Sequence, residues 1–467
     1  MKRMKKKIEV FSNSPTAEYI REFGQATTLH GLPYIIKKNY HFSETLLWFV
    51  AVILATYGAA KLIYDSWNRY NSNPTVISLE KDFREWNHTF PAATVCFLDR
   101  LNETRAADFI MEIWNTDQNS SKFEKYSRFL NAVTNLTYDN LDDFKEFVDD
   151  SNFKSLSGEQ LSQIARQNNV DMIYHANIFD TAFNHQTFKE TLTEMGICHT
   201  YSGIVSYYHT MKKGPLPSGE IPYCNYLSSV CYARIEDLPQ PIRYYIHSPY
   251  ELPALNDKFF DVLESMERDT TWKFTEMVAS PELRRLEPRQ RQCRFLDEPL
   301  EGEQVYSYNL CKMGCRKRMA YRLCGCAPFF YQKDGKIPVC DVEGLSCVST
   351  FKNEIIKADC ECLSQCEYVT FSVDEDHKRT WTYPVPKNIR FRWAIQHYNK
   401  TRQKRDIIFG FEDLLVSLGG TAALFLGSSV LSFVEVGYFF SLRLFWHVAR
   451  KYGPKKRRSL KKIQINK

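Results

Sequence analysis

Two apolar runs, one towards each end of the chain, constrain this sequence more than any other feature. The second, "LLVSLGGTAALFLGSSVLSFV" (Leu414–Val434), is uncharged and continues past Glu435 to Leu442. A helix needs roughly 20 apolar residues to cross the hydrocarbon of a bilayer, and this run meets that outright. The first, "LLWFVAVILATYGAA" (Leu46–Ala60), reaches the length through Lys61 and "LIY". A lysine near a helix end reaches the interface by snorkelling. Two buried core helices are the alternative reading, but no other stretch is apolar for so long without interruption. The chain is therefore read as an α+β membrane protein. Transmembrane helices at 44–66 and 412–442 flank a large segment, 67–411.

Charge orients the two spans. Residues 1–43 hold eight Lys and Arg against three acids, and residues 443–467 hold ten with no acid, which leaves a net of −9 between them. Basic flanks stay cytoplasmic, so both termini are expected inside and 67–411 outside. "MKRMKKKIEV" has no apolar segment close behind it, so the first run reads as an internal anchor rather than a secretory signal. The tail "KKRRSLKK" resembles a nucleic-acid patch in composition. Directly after a span, a role in topology and anionic-lipid contact is the better reading. Membrane lipids, and no nucleic acid, are the expected partners of the basic ends.

Two further features agree with this orientation. All fourteen cysteines lie between Cys96 and Cys366, an even number on one side, as disulfides in an oxidising compartment require. The Asn-x-Ser/Thr acceptors Asn87, Asn102, Asn119, Asn135 and Asn399 also fall between the runs. Each is weak evidence for glycosylation by itself; their shared placement with the cysteines is stronger.

Within the outer segment, "NSNPTVISLE" and "FPAATVCF" read as extended pieces punctuated by Pro74 and Pro91. From 100 to 195, "AADFIMEIWN", "NLDDFKEFVDD" and "GEQLSQIARQNN" space apolar residues three to four apart, which predicts helices. That region is polar and is expected to be peripheral to a β-sheet core. "GICHTYSGIVSYYH" and "IRYYIHSPYELP" return to strand-like composition. The cysteines concentrate at 293–366. "RKRMAYRL" between Cys315 and Cys324 is a good helix former, which places Cys311 and Cys315 on one helix face. "CGC" and "CEC" read as short strand-like pieces. Zinc is the competing reading of CxxxC and CxC. Paired C-x-x-C spacing is absent, no histidine lies between Cys293 and Cys366, and the segment is extracellular, so no metal site is expected. A stack of disulfides stiffens such a region without a large core.

The second run is unusual for a lipid-facing helix. Gly419, Gly420, Gly427, Ser428, Ser429 and Ser432 are small or polar, and Glu435 follows. Small residues let membrane helices pack closely, which accounts for Gly419 and Gly420. Polar groups clustered mid-span at Gly427–Ser429 are costly in lipid and face a water-filled interior. Carbonyl and hydroxyl oxygens are suitable ligands for a dehydrating hard cation. The pattern points to a pore: a narrow oxygen-lined ring at Gly427–Ser429 and an acidic vestibule at Glu435. Two helices cannot enclose a channel, so several copies must surround the axis.

Over nearly its whole length the chain resembles the degenerin/epithelial sodium channel family, most of all its insect pickpocket branch. The residues that carry the resemblance are "LHG" (Leu29–Gly31), "FPAATVC", "GICHTYSG", "IHSPYELP", "ELRRL…QRQC", "CKMGCRKRMAYRLCGCAPFF", "CECLSQC" and "LGG…LFLGSSVLSFVE". The resemblance implies that Gly427, Ser428 and Ser429 form the selectivity filter. It implies that His30 and Gly31 are the cytoplasmic His-Gly pair that affects gating in a re-entrant turn. It implies homo- or heterotrimers of the same or related subunits in the plasma membrane, with no cofactor beyond permeant Na⁺. The implied outer domain is hand-like, with 100–195 finger-like and 293–366 thumb-like. Its cysteines nest as Cys293–Cys366, Cys311–Cys362, Cys315–Cys360, Cys324–Cys347 and Cys326–Cys340, with Cys96–Cys198 in the palm; Cys224 and Cys231 are left for each other. Two positions depart from the family. Ala423 stands where glycine or another small residue such as serine is usual near the amiloride-type blocker site, so blocker sensitivity does not follow. Val416 stands three before the Gly-Gly pair, where Gly, Ala or Ser is usual; bulk there implies a high resting open probability, or smaller neighbours in a heterotrimer.

The function expected is a subunit of a voltage-independent, sodium-selective cation channel gated from outside by a chemical or mechanical stimulus. No segment has the regularly spaced arginines of a voltage sensor. A two-span ATP-gated trimer shares the topology but not the motifs at Leu418–Glu435. A non-conducting receptor or adhesion protein explains the disulfides and sequons but leaves Gly427–Ser429 without purpose. An enzyme is not expected. There is no Ser/His/Asp motif, phosphate loop or zinc helix, and single histidines such as His209 and His247 read as ordinary residues.

Overall fold

The computed structural model describes residues 15–37, 40–172, 177–180, 188–211, 221–228, 231–331, 335–381 and 389–452. The basic stretch at the start of the chain and "KKRRSLKK" lie outside the described residues. The chain divides into two compact units, Val76–Asp406 and the pairing of Met1–Thr75 with Ile407–Lys467.

The larger unit is built on two sheets. A seven-stranded sheet runs in the order Thr75–Glu80, Arg402–Ile407, Met266–Ala279, Ile389–Ile395, Cys231–Glu236 and Asn177–Asp180, with Tyr368–Thr380 also paired to Met266–Ala279. A five-stranded antiparallel sheet runs Phe259–Val262, Ile242–His247, Ala92–Phe97, Gly196–Tyr201 and Lys189–Thr193. Alternation along Met266–Ala279 turns Trp272 and Phe274 inward. They pack with Phe391 and Trp393 of the first sheet and with Val95, Phe97, Tyr244 and Phe260 of the second. "FPAATVC" is legible in this light. Ala92 and Ala93 are fully buried, and the Pro91 carbonyl accepts the Trp393 Nε1–H at 3.1 Å. A larger side chain at either alanine would overpack the sheet contact.

The helices of 100–195 carry more core than their polar composition suggests. Ser120 and Asn102 cap the helices Ser121–Thr134 and Glu103–Ile113, and Ser157 with Gln160 forms a capping box on Gly158–Gln167. Their inner faces close on aromatics: Phe129 stacks on Phe153 at 4.0 Å, and Trp114 on Tyr126 at 4.6 Å. "GIVSYYH", read as strand, is a helix at Ile204–Met211; only "GICHTY" is a strand. Burial of Ile204, Val205 and Ser206 against their surroundings overrides the β-branched and aromatic composition there.

Seven disulfides join Cys96–Cys198, Cys224–Cys231, Cys293–Cys366, Cys311–Cys362, Cys315–Cys360, Cys324–Cys347 and Cys326–Cys340. No cysteine is free. Cys311 and Cys315 lie on one face of the helix Tyr308–Cys324, which starts at the Ser307 cap and stops at Gly325 with φ 73°. "CGC" and "CEC" are therefore not strands. Cys324 ends that helix, Gly325 is its left-handed cap, and Cys360–Cys362 is irregular; the extended pair is Cys293–Arg294 with Ser364–Gln365. A buried ion pair ties the helix to the sheet turn before Gly196. Arg316 Nε donates to Glu194 Oε1 at 2.6 Å, and the Tyr331 hydroxyl donates to the same oxygen at 2.7 Å.

In the smaller unit, the helix Phe42–Ser72 is long and apolar enough to cross a bilayer, and begins and ends beyond 44–66. His41 caps it, its Nδ1 accepting the Ser43 N–H at 3.4 Å. The second apolar run is not one continuous helix. It is Phe411–Leu426, then Val430–Tyr438, a π turn Phe439–Arg443, and Leu444–Tyr452. The two limbs bend by 74° at the break.

Candidate functional site

The break is a helix stop followed at once by a helix start. Gly427 sits at the C-terminal end of Phe411–Leu426 with φ +60°, a left-handed conformation that favours glycine. Its N–H donates to the Ala423 carbonyl at 2.9 Å. Ser428 is buried, and its hydroxyl donates to the Ala422 carbonyl at 3.1 Å. Ser429 is the N-cap of Val430–Tyr438. Its Oγ accepts the Ser432 N–H at 3.3 Å, and the Ser429 N–H donates back to Ser432 Oγ at 3.1 Å. The three residues thus satisfy the groups that a helix end would otherwise leave open in an apolar setting.

The turn "LHG" meets this break. The His30 N–H donates to the Leu426 carbonyl at 3.0 Å. A Cβ placed on Gly427 would come within 1.9 Å of the His30 ring, so position 427 excludes a side chain on two counts, conformation and space. Gly31, φ +88°, lies where a Cβ would meet Val52 of the long helix at 2.5 Å. Tyr34 stacks on Trp48 at 4.6 Å. The turn is thereby pinned between the helix Phe42–Ser72 and the broken run. Those two helices also touch directly, through Ser66 Oγ and Ser417 Oγ at 2.9 Å and through Phe425 packed on Gly58.

Polar groups continue along the second limb. Thr28 Oγ1 lies 2.8 Å from Ser432 Oγ and 3.0 Å from Glu435 Oε2. The helix Pro15–Ala26 then follows the limb outward. The Tyr19 hydroxyl donates to the Phe439 carbonyl at the π turn, Phe23 packs edge-on to Phe439 and Phe440, and Glu22 pairs with Arg443. A π turn interrupts the regular hydrogen-bond ladder, and Tyr19 supplies a partner there. Thr28, Tyr19, Glu22 and Arg443 were not singled out from the sequence, and Ser432 was noted there only as one of the small residues of the second run. The only available signal was the nearness of Thr28 to "LHG" and of Ser432 to "GSS".

The structure thus brings His30, Gly31, Gly427, Ser428, Ser429 and Glu435 into one connected region. Val416, Gly419 and Gly420 lie apart from it on the exposed side of Phe411–Leu426, and Ala423 shares that side while its carbonyl accepts from Gly427. Val416 is 76% exposed, and a Cβ on Gly419 or Gly420 would meet nothing within 4 Å. Of the sequons, Asn87 and Asn119 are exposed. Asn102 caps a helix, Asn399 Nδ2 donates to the Phe274 carbonyl, and Asn135 Nδ2 donates to Asp99 and Asn131. Among the described residues no group of His, Cys, Asp and Glu is arranged to hold a metal ion. What the broken run offers chemically is backbone and hydroxyl oxygen, beside a carboxylate, at mid-depth of an apolar segment.

Comparison with known proteins agrees on one family. The family model described as amiloride-sensitive sodium channel matches residues 23–439. The mouse (Mus musculus) bile acid-sensitive ion channel is 23% identical over 93% of this chain and 90% of its own length. The sodium channel protein Nach of Drosophila melanogaster is 22% identical over 92% and 89%. Pickpocket protein 28 of the same fly is 21% identical over 89% and 77%. These are ion channels and not enzymes, and the match runs through both apolar runs and everything between them: the chain belongs to the amiloride-sensitive sodium channel family.

Proposed function

We propose that the chain is one subunit of a trimeric, voltage-independent, sodium-preferring cation channel in the plasma membrane, with two spans and both termini cytoplasmic. The observation that carries this reading is the interruption of the second apolar run at Gly427–Ser429, backed by His30. A lipid-facing helix has no reason to break there, whereas a filter needs carbonyl and hydroxyl oxygens presented by non-helical backbone. Gly427, Ser428 and Ser429 are the proposed filter, and Glu435 the acidic vestibule. Val416, Gly419, Gly420 and Ala423 form the face offered to neighbouring copies and the axis. The outer segment 67–411 receives the stimulus, chemical or mechanical; one relative is named for its sensitivity to bile acids. Asn87 and Asn119 are the accessible glycan acceptors.

The test is expression in oocytes, alone and with related subunits, under a panel of stimuli with sodium replaced. A sodium current whose sodium/potassium preference changes on substitution of Ser429 supports the channel. Correct surface delivery with no current in any combination favours the alternative, a non-conducting two-span receptor.

A further inference from the structure

A cavity of about 390 Å³ in the larger unit, remote in sequence from the broken helix, is lined by a buried arginine whose donors are not all bonded. Arg100 follows the strand Ala92–Phe97 and is 6% exposed. Its Nη2 donates to the Met195 carbonyl, while its Nε has no partner. Gly196, φ +98°, makes room for the guanidinium; a Cβ there would come within 3.0 Å of Arg100 Cζ. Burial lowers the Arg100 pKa to about 10, so the group is cationic at neutral pH.

The acids nearby bond other groups, although the Asp99 carboxylate still acts on Arg100 as a neighbouring opposite charge. Glu194 is held by Arg316 and Tyr331. Asp99 accepts from the Leu101 N–H and from Asn135. Asp139 is exposed. The second arginine of the cavity, Arg243, is clamped on Asp261 by two bonds of 2.8 and 3.1 Å and lies 3.8 Å from the Phe259 ring centre. A buried guanidinium is costly where its donors are left unbonded, and the unpaired Nε calls for a partner. The rest of the lining is mixed, with Leu98, Tyr245, Leu255 and Phe259 beside Asn135, Thr137, Asn140 and Asn256, which gives apolar surface next to the cationic donor and further polar groups. The volume lies in the range of small-molecule sites and far exceeds what a bare halide fills.

We propose that this cavity is a binding site for a small organic carboxylate, its anionic end on Arg100 and its apolar or aromatic body between Leu98, Tyr245 and Leu255. The fork of a guanidinium matches a carboxylate. The site's test reads binding rather than current, so its outcome does not hang on that of the proposed channel function.

The experiment uses the full-length protein purified in detergent. Its unfolding midpoint is followed while phenylacetate, the neutral isostere phenylacetamide, or sodium chloride is titrated. Phenylacetate is expected to give a saturable rise of several degrees, with at least tenfold weaker effect from phenylacetamide and none that saturates from chloride. Arg100→Gln should lose the phenylacetate response. So should Leu98→Glu, which keeps the fold-bearing arginine and places a carboxylate on the exposed rim. Equal responses to acid and amide, full response in either folded variant, a chloride response as large as that to phenylacetate, or no saturable response would each overturn the assignment.

Discussion

At the scale of single residues, the account rests on side chains that admit no substitute for a stated reason. Gly427 is one. Alanine there would be strained in the left-handed region and would collide with His30. Gly427→Ala is expected to abolish current and reduce surface delivery, read by biotinylation. Adding His30→Ala, which removes the collision but not the strain, should restore part of the delivery. Arg316 is another. Removing one partner of a buried pair leaves the other charge unanswered, so Arg316→Met should cost about 3–5 kcal/mol and lower the unfolding midpoint of the purified protein. Glu251 is a third. Burial pushes its carboxyl from 4.5 up to about 7, although its oxygens accept the N–H groups of Tyr308 and Asn309. A carboxyl whose pKa is raised on folding adds stability that is complete below the unfolded pKa and is lost as pH rises through the folded one. Glu251→Gln should therefore flatten the fall in unfolding midpoint between about pH 4.5 and about pH 7. An unchanged pH profile would contradict this.

At the scale of elements, much of the site was legible because helix ends obey local chemistry. A glycine stop followed by a serine start inside an apolar run announces a break, and "GSS" could be found without coordinates. The docking of "LHG" on that break could not, since no local rule relates residue 30 to residue 427. The same limit explains the misread strand at Ile204–Met211 and the underrated core at 100–195. In both, side chains from distant segments decide what composition alone leaves open. The disulfide stack is the opposite case: the positions on one face of Tyr308–Cys324 follow from helical spacing, while the pairings followed from the family resemblance and are the ones the fold makes. Replacing both Cys315 and Cys360 by serine opens one rung, and about 2–4 kcal/mol of stability should be lost, visible as a lower unfolding midpoint in the oxidised protein. Val416 belongs to this scale too. It is exposed on the face proposed to meet neighbouring copies, so Val416→Ala should reduce resting current. Identical basal currents in variant and parent would remove Val416 from the gate.

At the scale of the whole molecule, the sequence already separated a cysteine-bearing middle segment from two basic flanks. The family match over residues 23–439 covers both apolar runs. Stoichiometry and stimulus are not written in any one chain. Val416, Gly420 and Ala423 are exposed on the single chain, and the proposed assembly would cover them. The central claim is that copies of the Gly427–Ser429 break surround an aqueous ion path. Every native cysteine of this chain is already in a disulfide, so a cysteine placed at Ser429 is its one free thiol, and the parent in the same combination controls for thiols of other proteins. The decisive measurement treats cells expressing Ser429→Cys, in a combination that carries sodium current, with an impermeant cationic methanethiosulfonate from outside. The account predicts irreversible loss of the current, with the parent unaffected. Current that persists unchanged while the thiol at 429 is shown to be modified, or a thiol that never reacts in the conducting protein, would contradict it.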